Sequence, residues 1–162
     1  MAPHVETTLP FERGRFYRAP MHDLVGTWRL VEWTVDVGGR TVRPFGGEAI
    51  GLLTYTADGR MTASLMRQNR DRLATTSFAG AESKNRATAA AGYISYAGSY
   101  EIVGDEVHHD VELSLFPDWV GDIQTRTIGW DNEADGTEVL ILSYVQPGNG
   151  KTATNTLRWH RI

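Results

Sequence analysis

Leu24-Val25-Gly26-Thr27-Trp28-Arg29-Leu30-Val31-Glu32-Trp33-Thr34-Val35 is the stretch on which the fold turns. Gly26 sets a tight start, and the run that follows is rich in Val, Trp and Thr, residues that suit a pleated surface with both faces partly covered. A first strand is therefore expected over about 27–37. Moving outward, turn signals recur at strand-length intervals. Gly38-Gly39 turns the chain and 40–42 resumes extended structure. Pro44-Phe45-Gly46-Gly47 is a loop, 50–56 the next strand, and Asp58-Gly59 a hairpin signal leading into 60–67. Further strands are expected over 93–102, 107–116, 122–130, 139–146 and 152–161, with Gly104-Asp105, Asp135-Gly136 and Pro147-Gly148-Asn149-Gly150 among the breaks. The segment 68–92 is rich in Ala, Arg, Glu, Asn and Lys, and 81–91 carries helical spacing. The reading is an all-β, up-and-down antiparallel barrel of about eight strands with one helix inserted between the third and fourth, placed as a lid or end plug. Closure removes the edges that an open sheet of this length would expose.

The 162 residues fit one folded domain. Residues 1–20, with prolines at 3, 10 and 20, read as an extended arm or a floppy terminus, and 21–162 as the barrel, with a short helical turn over 21–24. Phe11, Phe16 and Tyr17 give the arm a means to dock over a barrel mouth or onto a second copy, a route to a homodimer. The absence of cysteine excludes disulfides, thiolate catalysis and Cys-type zinc sites, and fits the cytoplasm. With a net charge of −4 and no basic stripe, nucleic acid is not expected as a partner. No run approaches the ~20 apolar residues that span a bilayer, and the first residues lack the apolar core of a signal peptide, so neither a membrane nor secretion is expected.

A series of motifs in order narrows the reading: Leu24-Val25-Gly26-Thr27-Trp28, Pro44-Phe45-Gly46, Gly51-Leu52-Leu53-Thr54-Tyr55, Asp58-Gly59-Arg60-Met61, Tyr93-Ile94-Ser95-Tyr96-Ala97-Gly98, His108-His109, Leu115-Phe116-Pro117-Asp118-Trp119-Val120-Gly121, Arg126 and Leu157-Arg158-Trp159. Together they resemble the bacterial and fungal lipocalin-like domain family, over nearly everything from Met21 to Ile162. The resemblance implies a small barrel with Trp28 plugging its closed end. It does not imply one activity, because members include lone cytosolic domains, some beside secondary-metabolite pathways, and a barrel hosts carriers and enzymes alike.

Alternation along the strands names the candidate site. On the 107–116 strand, Val107, His109, Val111, Leu113 and Leu115 share one face, read as lumenal. His109 is then either a general acid or base in an apolar pocket or a structural histidine bonded to a neighbour. His108, Asp110 and Glu112 share the opposite face, read as solvated, and no metal is expected there. Tyr96 and Tyr100 face the lumen with Gly98 between them, as a ligand wall or as phenols packed at a rim; Tyr55 has a similar standing. If Trp28 points inward, Glu32 does too, and a buried carboxylate needs a partner, which Arg126 offers, either to hold a polar ligand group or purely as structure. Arg158 is the arginine expected to stack on Trp28, by analogy with the classical family.

No phosphate loop, nucleophile elbow or dinucleotide fingerprint is present, so no cofactor is expected. The expected function is capture of a small, largely apolar organic molecule, polyketide- or terpenoid-like, and its isomerisation or cyclisation by non-covalent acid/base chemistry. His109, Tyr96, Glu32 and Arg126 are the catalytic candidates. Trp28, Tyr55, Tyr100, Val111, Leu113 and Trp119 are the ligand contacts. A passive carrier or sensor is the alternative, and a small domain that assembles through its N-terminal arm, its barrel filled by side chains, is a third reading. A lumen of several hundred Å³ would favour the first two, and a solid core the third.

Overall fold

A computed structural model describes residues 23–148 and 151–162. The expected arm over 1–20, and most of the turn expected over 21–24, lie outside the described residues. Nine strands form: β1 (Gly26–Val37), β2 (Arg40–Val42), β3 (Ala49–Tyr55), β4 (Arg60–Arg67), β5 (Tyr93–Val103), β6 (Glu106–Ser114), β7 (Ile123–Asn132), β8 (Glu138–Gly148) and β9 (Lys151–Arg161), with one helix, α1 (Ser83–Ala91). Each strand from β3 to β9 pairs antiparallel with the next, β1 pairs with β3, and β9 returns to β1. Eight strands thus close a barrel, and short β2 hangs on the far end of β1, with Val35 opposite Val42. Gly38 and Gly39, at φ 62° and 83°, make that hairpin, because both central residues of such a tight turn need positive φ.

Since Arg40–Val42 pairs as a strand of its own, the helix follows the fourth strand, not the third. Nor does it act as a plug. None of its side chains is buried, and it stays on the outer surface, where Arg70 donates to the Ala89 carbonyl and Arg86 to those of Ala79 and Ala81.

The core fills the closed end. Trp28 is fully buried, its indole Nε1 donates to the Leu24 carbonyl at 2.9 Å, and its ring tilts against Trp130 with centroids 5.8 Å apart. Leu53, Tyr55, Met61, Val107 and Leu140 belong to the same buried cluster. Arg161, not Arg158, covers the plug, with its guanidinium carbon 4.2 Å from the Trp28 ring centroid. The cause is alternation: Leu157, Trp159 and Arg161 share the inward face of β9, whereas Arg158 points outward to Asp131 and Glu133.

Two bulges reset which side chains face inward. The β1–β9 register shifts between Leu30 and Glu32, so one extra residue enters β1 and the alternation inverts. Trp28 and Leu30 point in before the shift. After it Trp33 takes the inner face, and Glu32 turns out to pair with Arg43 at 2.6 Å. The β5–β6 register shifts after Ala97, where Gly98 stands opposite Val111 and Ala97 opposite Leu113, which leaves Glu112 as the extra residue. Glu112 faces outward and receives two hydrogen bonds from Arg60, at 2.6 and 2.7 Å. Leu113 is 69 % exposed, and Leu115 is exposed as well. The lumenal placements expected for Glu32, Leu113 and Leu115 are therefore corrected, in each case by a bulge.

Candidate functional site

The open end is where Trp33 near the end of β1, Ile94 at the start of β5, Trp119 in the turn after β6 and Tyr144 late in β8 come together, all partly buried. Phe45 props Trp33 edge-on at 5.5 Å, and Trp119 stands edge-on to Tyr96 at 5.6 Å. Behind this aromatic rim lies a chamber of about 40 Å³, walled by Leu53, Ala63, Leu65, Leu142, Leu157 and Trp159. Tyr96, His109 and Arg126 complete the wall. The barrel is thus largely filled by its own side chains, and this space is far below the several hundred Å³ set as the mark of a ready lumen.

His109 is 1 % exposed and held on both sides: the Tyr55 hydroxyl lies 2.7 Å from Nε2 and the Tyr96 hydroxyl 3.0 Å from Nδ1. Burial, with smaller contributions from Arg126 and His108, pushes its pKa down to about 3, so the ring is neutral at physiological pH. A neutral imidazole has one N–H and one lone pair. Tyr55 is sealed away from solvent, and His109 is its hydrogen-bonding partner. The tautomer that leaves no sealed proton without an acceptor has Tyr55 donating to Nε2 and the Nδ1–H donating to the Tyr96 oxygen. The Tyr96 proton is then free to point into the chamber that Tyr96 lines. Burial raises both phenols, Tyr55 well above the ordinary value, while the nearby Arg126 guanidinium opposes the rise in each.

Arg126 is 7 % exposed. It does not meet Glu32, which the bulge in β1 has turned outward. Its Nη1 donates to the Thr125 carbonyl at 2.7 Å, its Nη2 reaches Gln124 Oε1 at 3.4 Å, and its guanidinium lies over the Tyr144 ring at 4.1 Å.

The other expected contacts divide by depth. Trp119 lines the chamber. Trp28 belongs to the plug. Tyr100 stacks edge-on against Tyr55 at 4.7 Å and donates to the Thr56 carbonyl, which seals the closed end instead of walling the chamber. Val111 is buried in the core beyond the chamber wall, and Leu113 is outside. Sequence reasoning missed Trp33, Tyr144, Asn155 and Trp159. Asn155 is 3 % exposed and accepts from Trp33 Nε1 at 3.1 Å. Its alternation with Leu157 and Trp159 was the available signal.

Among the described residues no helix is long and apolar enough to cross a membrane, and no three His, Asp or Glu side chains converge as a metal site. A family model described as a lipocalin-like domain matches residues 25–162. No curated protein and no solved structure matches the chain.

Proposed function

Because the chain belongs to the lipocalin-like domain family, we propose that its barrel takes a small, largely apolar molecule end-on through the aromatic rim and stops its polar tip at Tyr96, His109 and Arg126. The observation that carries this is the polarity of the chamber: aliphatic and indole walls, with three hydrogen-bonding side chains grouped at one place. Pockets for small organic molecules have that composition, an apolar lining with few placed polar groups. A ligand of ordinary size needs roughly 300 Å³ or more, so it enters by turning the partly exposed Trp33 or Trp119 outward. Occupancy and movement of these indoles are therefore coupled.

A carrier or sensor needs nothing more. Turnover by isomerisation or cyclisation is the finer reading, and the continuous Tyr55–His109–Tyr96 chain favours it, because a phenol backed by an imidazole can give up a proton and regain one. In that reading Tyr96 touches the substrate, and His109 and Tyr55 stand behind it. A cytoplasmic setting belongs to the same proposal.

Native mass spectrometry of the protein purified from its own host tests the binding reading. A retained small organic molecule, released on denaturation, supports it. A protein that carries nothing, and whose tryptophan emission no apolar compound alters, counts against it. His109→Ala and Tyr96→Phe then separate the two activities: turnover lost with binding kept marks catalysis, whereas binding without any turnover in the wild type marks a carrier.

A further inference from the structure

We propose that the molecule this barrel holds ends in an anionic oxygen head, a carboxylate or its equivalent, which seats against Arg126 with Tyr96 and Trp159 as further donors. This rests on the binding reading above. The chamber offers protons and positive charge with no negative charge among the described residues to match them. An arginine is charged at any physiological pH, and a charge this deeply buried is costly unless it is paired. Yet among the described residues no carboxylate lies within 4 Å of Arg126; its partners are a carbonyl, an amide oxygen, an aromatic face and the Tyr96 phenol, all neutral. Trp159 is 2 % exposed and lines the same chamber, and its indole Nε1–H has no acceptor among the described residues. The tautomer assigned to His109 turns the Tyr96 hydroxyl proton toward the chamber too. The local acceptors are occupied: Tyr55 fills the His109 lone pair, and Trp33 takes Asn155 Oδ1.

Three donors around one space, one of them a cation, call for a ligand that supplies only acceptors and a negative charge. A neutral ketone or alcohol would leave the guanidinium uncompensated. A cation or an amine would meet the like charge of Arg126. The apolar remainder of the molecule then points back toward Ile94, Trp33 and Trp119 at the rim. The head group and the mouth thus fix one orientation, polar end innermost.

The test is a matched pair of probes on the full chain at pH 7.5: 2-naphthoate against 2-naphthamide, equal in shape and differing in charge, measured by calorimetry. The expected result is about tenfold or more tighter binding of the carboxylate, the scale of a charge-assisted hydrogen bond. Arg126→Met should erase that preference while naphthamide still binds, and Arg126→Lys should keep part of it. Equal affinity of the two probes for the wild type overturns the anionic head and leaves the binding reading standing. A preference that survives in Arg126→Met also overturns it, by placing the carboxylate elsewhere. If the carboxylate does not bind, the anionic head is overturned, while the binding reading stands or falls on the native mass spectrometry. The wild-type comparison decides the matter even if Arg126→Met does not fold.

Discussion

Arg161 spans from the last strand to the first, with its guanidinium over Trp28 and its two terminal nitrogens donating to the Val25 and Asp23 carbonyls. Gly26 lies beneath it: a Cβ built there would stand 2.5 Å from Arg161 Nη1, and its φ of 142° is one that L side chains rarely adopt. The Gly-x-Trp motif thus has a physical reason. The glycine leaves room for the arginine that fastens the plug.

Arg161→Met should cost about 1–2 kcal/mol, from one cation–π contact and two hydrogen bonds at a partly wet site. Gly26→Ala should cost about 2–3 kcal/mol, of which backbone strain is one part and the clash with Arg161 the other. The double variant should cost less than the sum, because removing the arginine relieves the clash but not the strain. Urea midpoints at constant m-value measure all three. Strict additivity would show that the arginine and the glycine do not share the space.

The barrel was legible in the sequence because its punctuation is local. Asp58-Gly59, Gly38-Gly39 and Gly104-Asp105 are turns by composition, and Gly26-x-Trp28 marks the plug. His109, Tyr96 and Arg126 were found by alternation, which holds wherever a strand pairs without interruption. Alternation failed at Val31 and Glu112, since an extra residue is invisible until the partner strand is known. A signal was present near Glu112, where Gly98 within a strand indicates close backbone approach. For the plug, Arg161 has the same parity as Leu157 and Trp159. What no local pattern could show is that Arg126 and Glu32 never meet, because that depends on the phase of a strand after its bulge.

Gly98 gives the sharpest steric prediction. A Cβ there would stand 1.8 Å from the Asp110 backbone oxygen, an atom that cannot swing aside as a side chain does. Gly98→Ala should destabilise by about 2–4 kcal/mol. Amide exchange should rise in β5 and β6 around the bulge before it rises in β8 and β9. A variant as stable as the wild type would mean that the close approach does not exist.

Acid stability should depend on His109. Its pKa in the fold is about 3, against an ordinary 6.5. Between those values the unfolded chain binds a proton that the native protein excludes, so stability rises with pH across this window and is lost on acidification. The groups facing the ring from the packed strands, Tyr55, Tyr96 and Arg126, offer no negative charge that would reverse the sign. From pH 7 to 5.5, above the main carboxylate range, this one residue should remove about 1 kcal/mol. His109→Gln should be less stable at pH 7 but lose less over that interval. Urea titrations at the two pH values give the comparison, and identical losses in both proteins would rule out a buried neutral imidazole.

The bulge at Glu112 makes neighbours of like chemistry behave oppositely. Val111 is 1 % exposed and Leu113 is 69 % exposed, although unbroken alternation would put both on one face. Val111→Asp places an unpaired carboxylate in the core and should cost about 4 kcal/mol or more, enough to prevent folding in a domain of ordinary stability. Leu113→Asp should change the unfolding free energy by about 0.5 kcal/mol or less and reduce self-association, since it removes an apolar side chain from the surface. Two variants two residues apart thus read the phase of the strand without a ligand in hand. If Leu113→Asp were the damaging one, β6 would run without its bulge, Leu113 would face inward with Val111, and the inner wall would have to be drawn again.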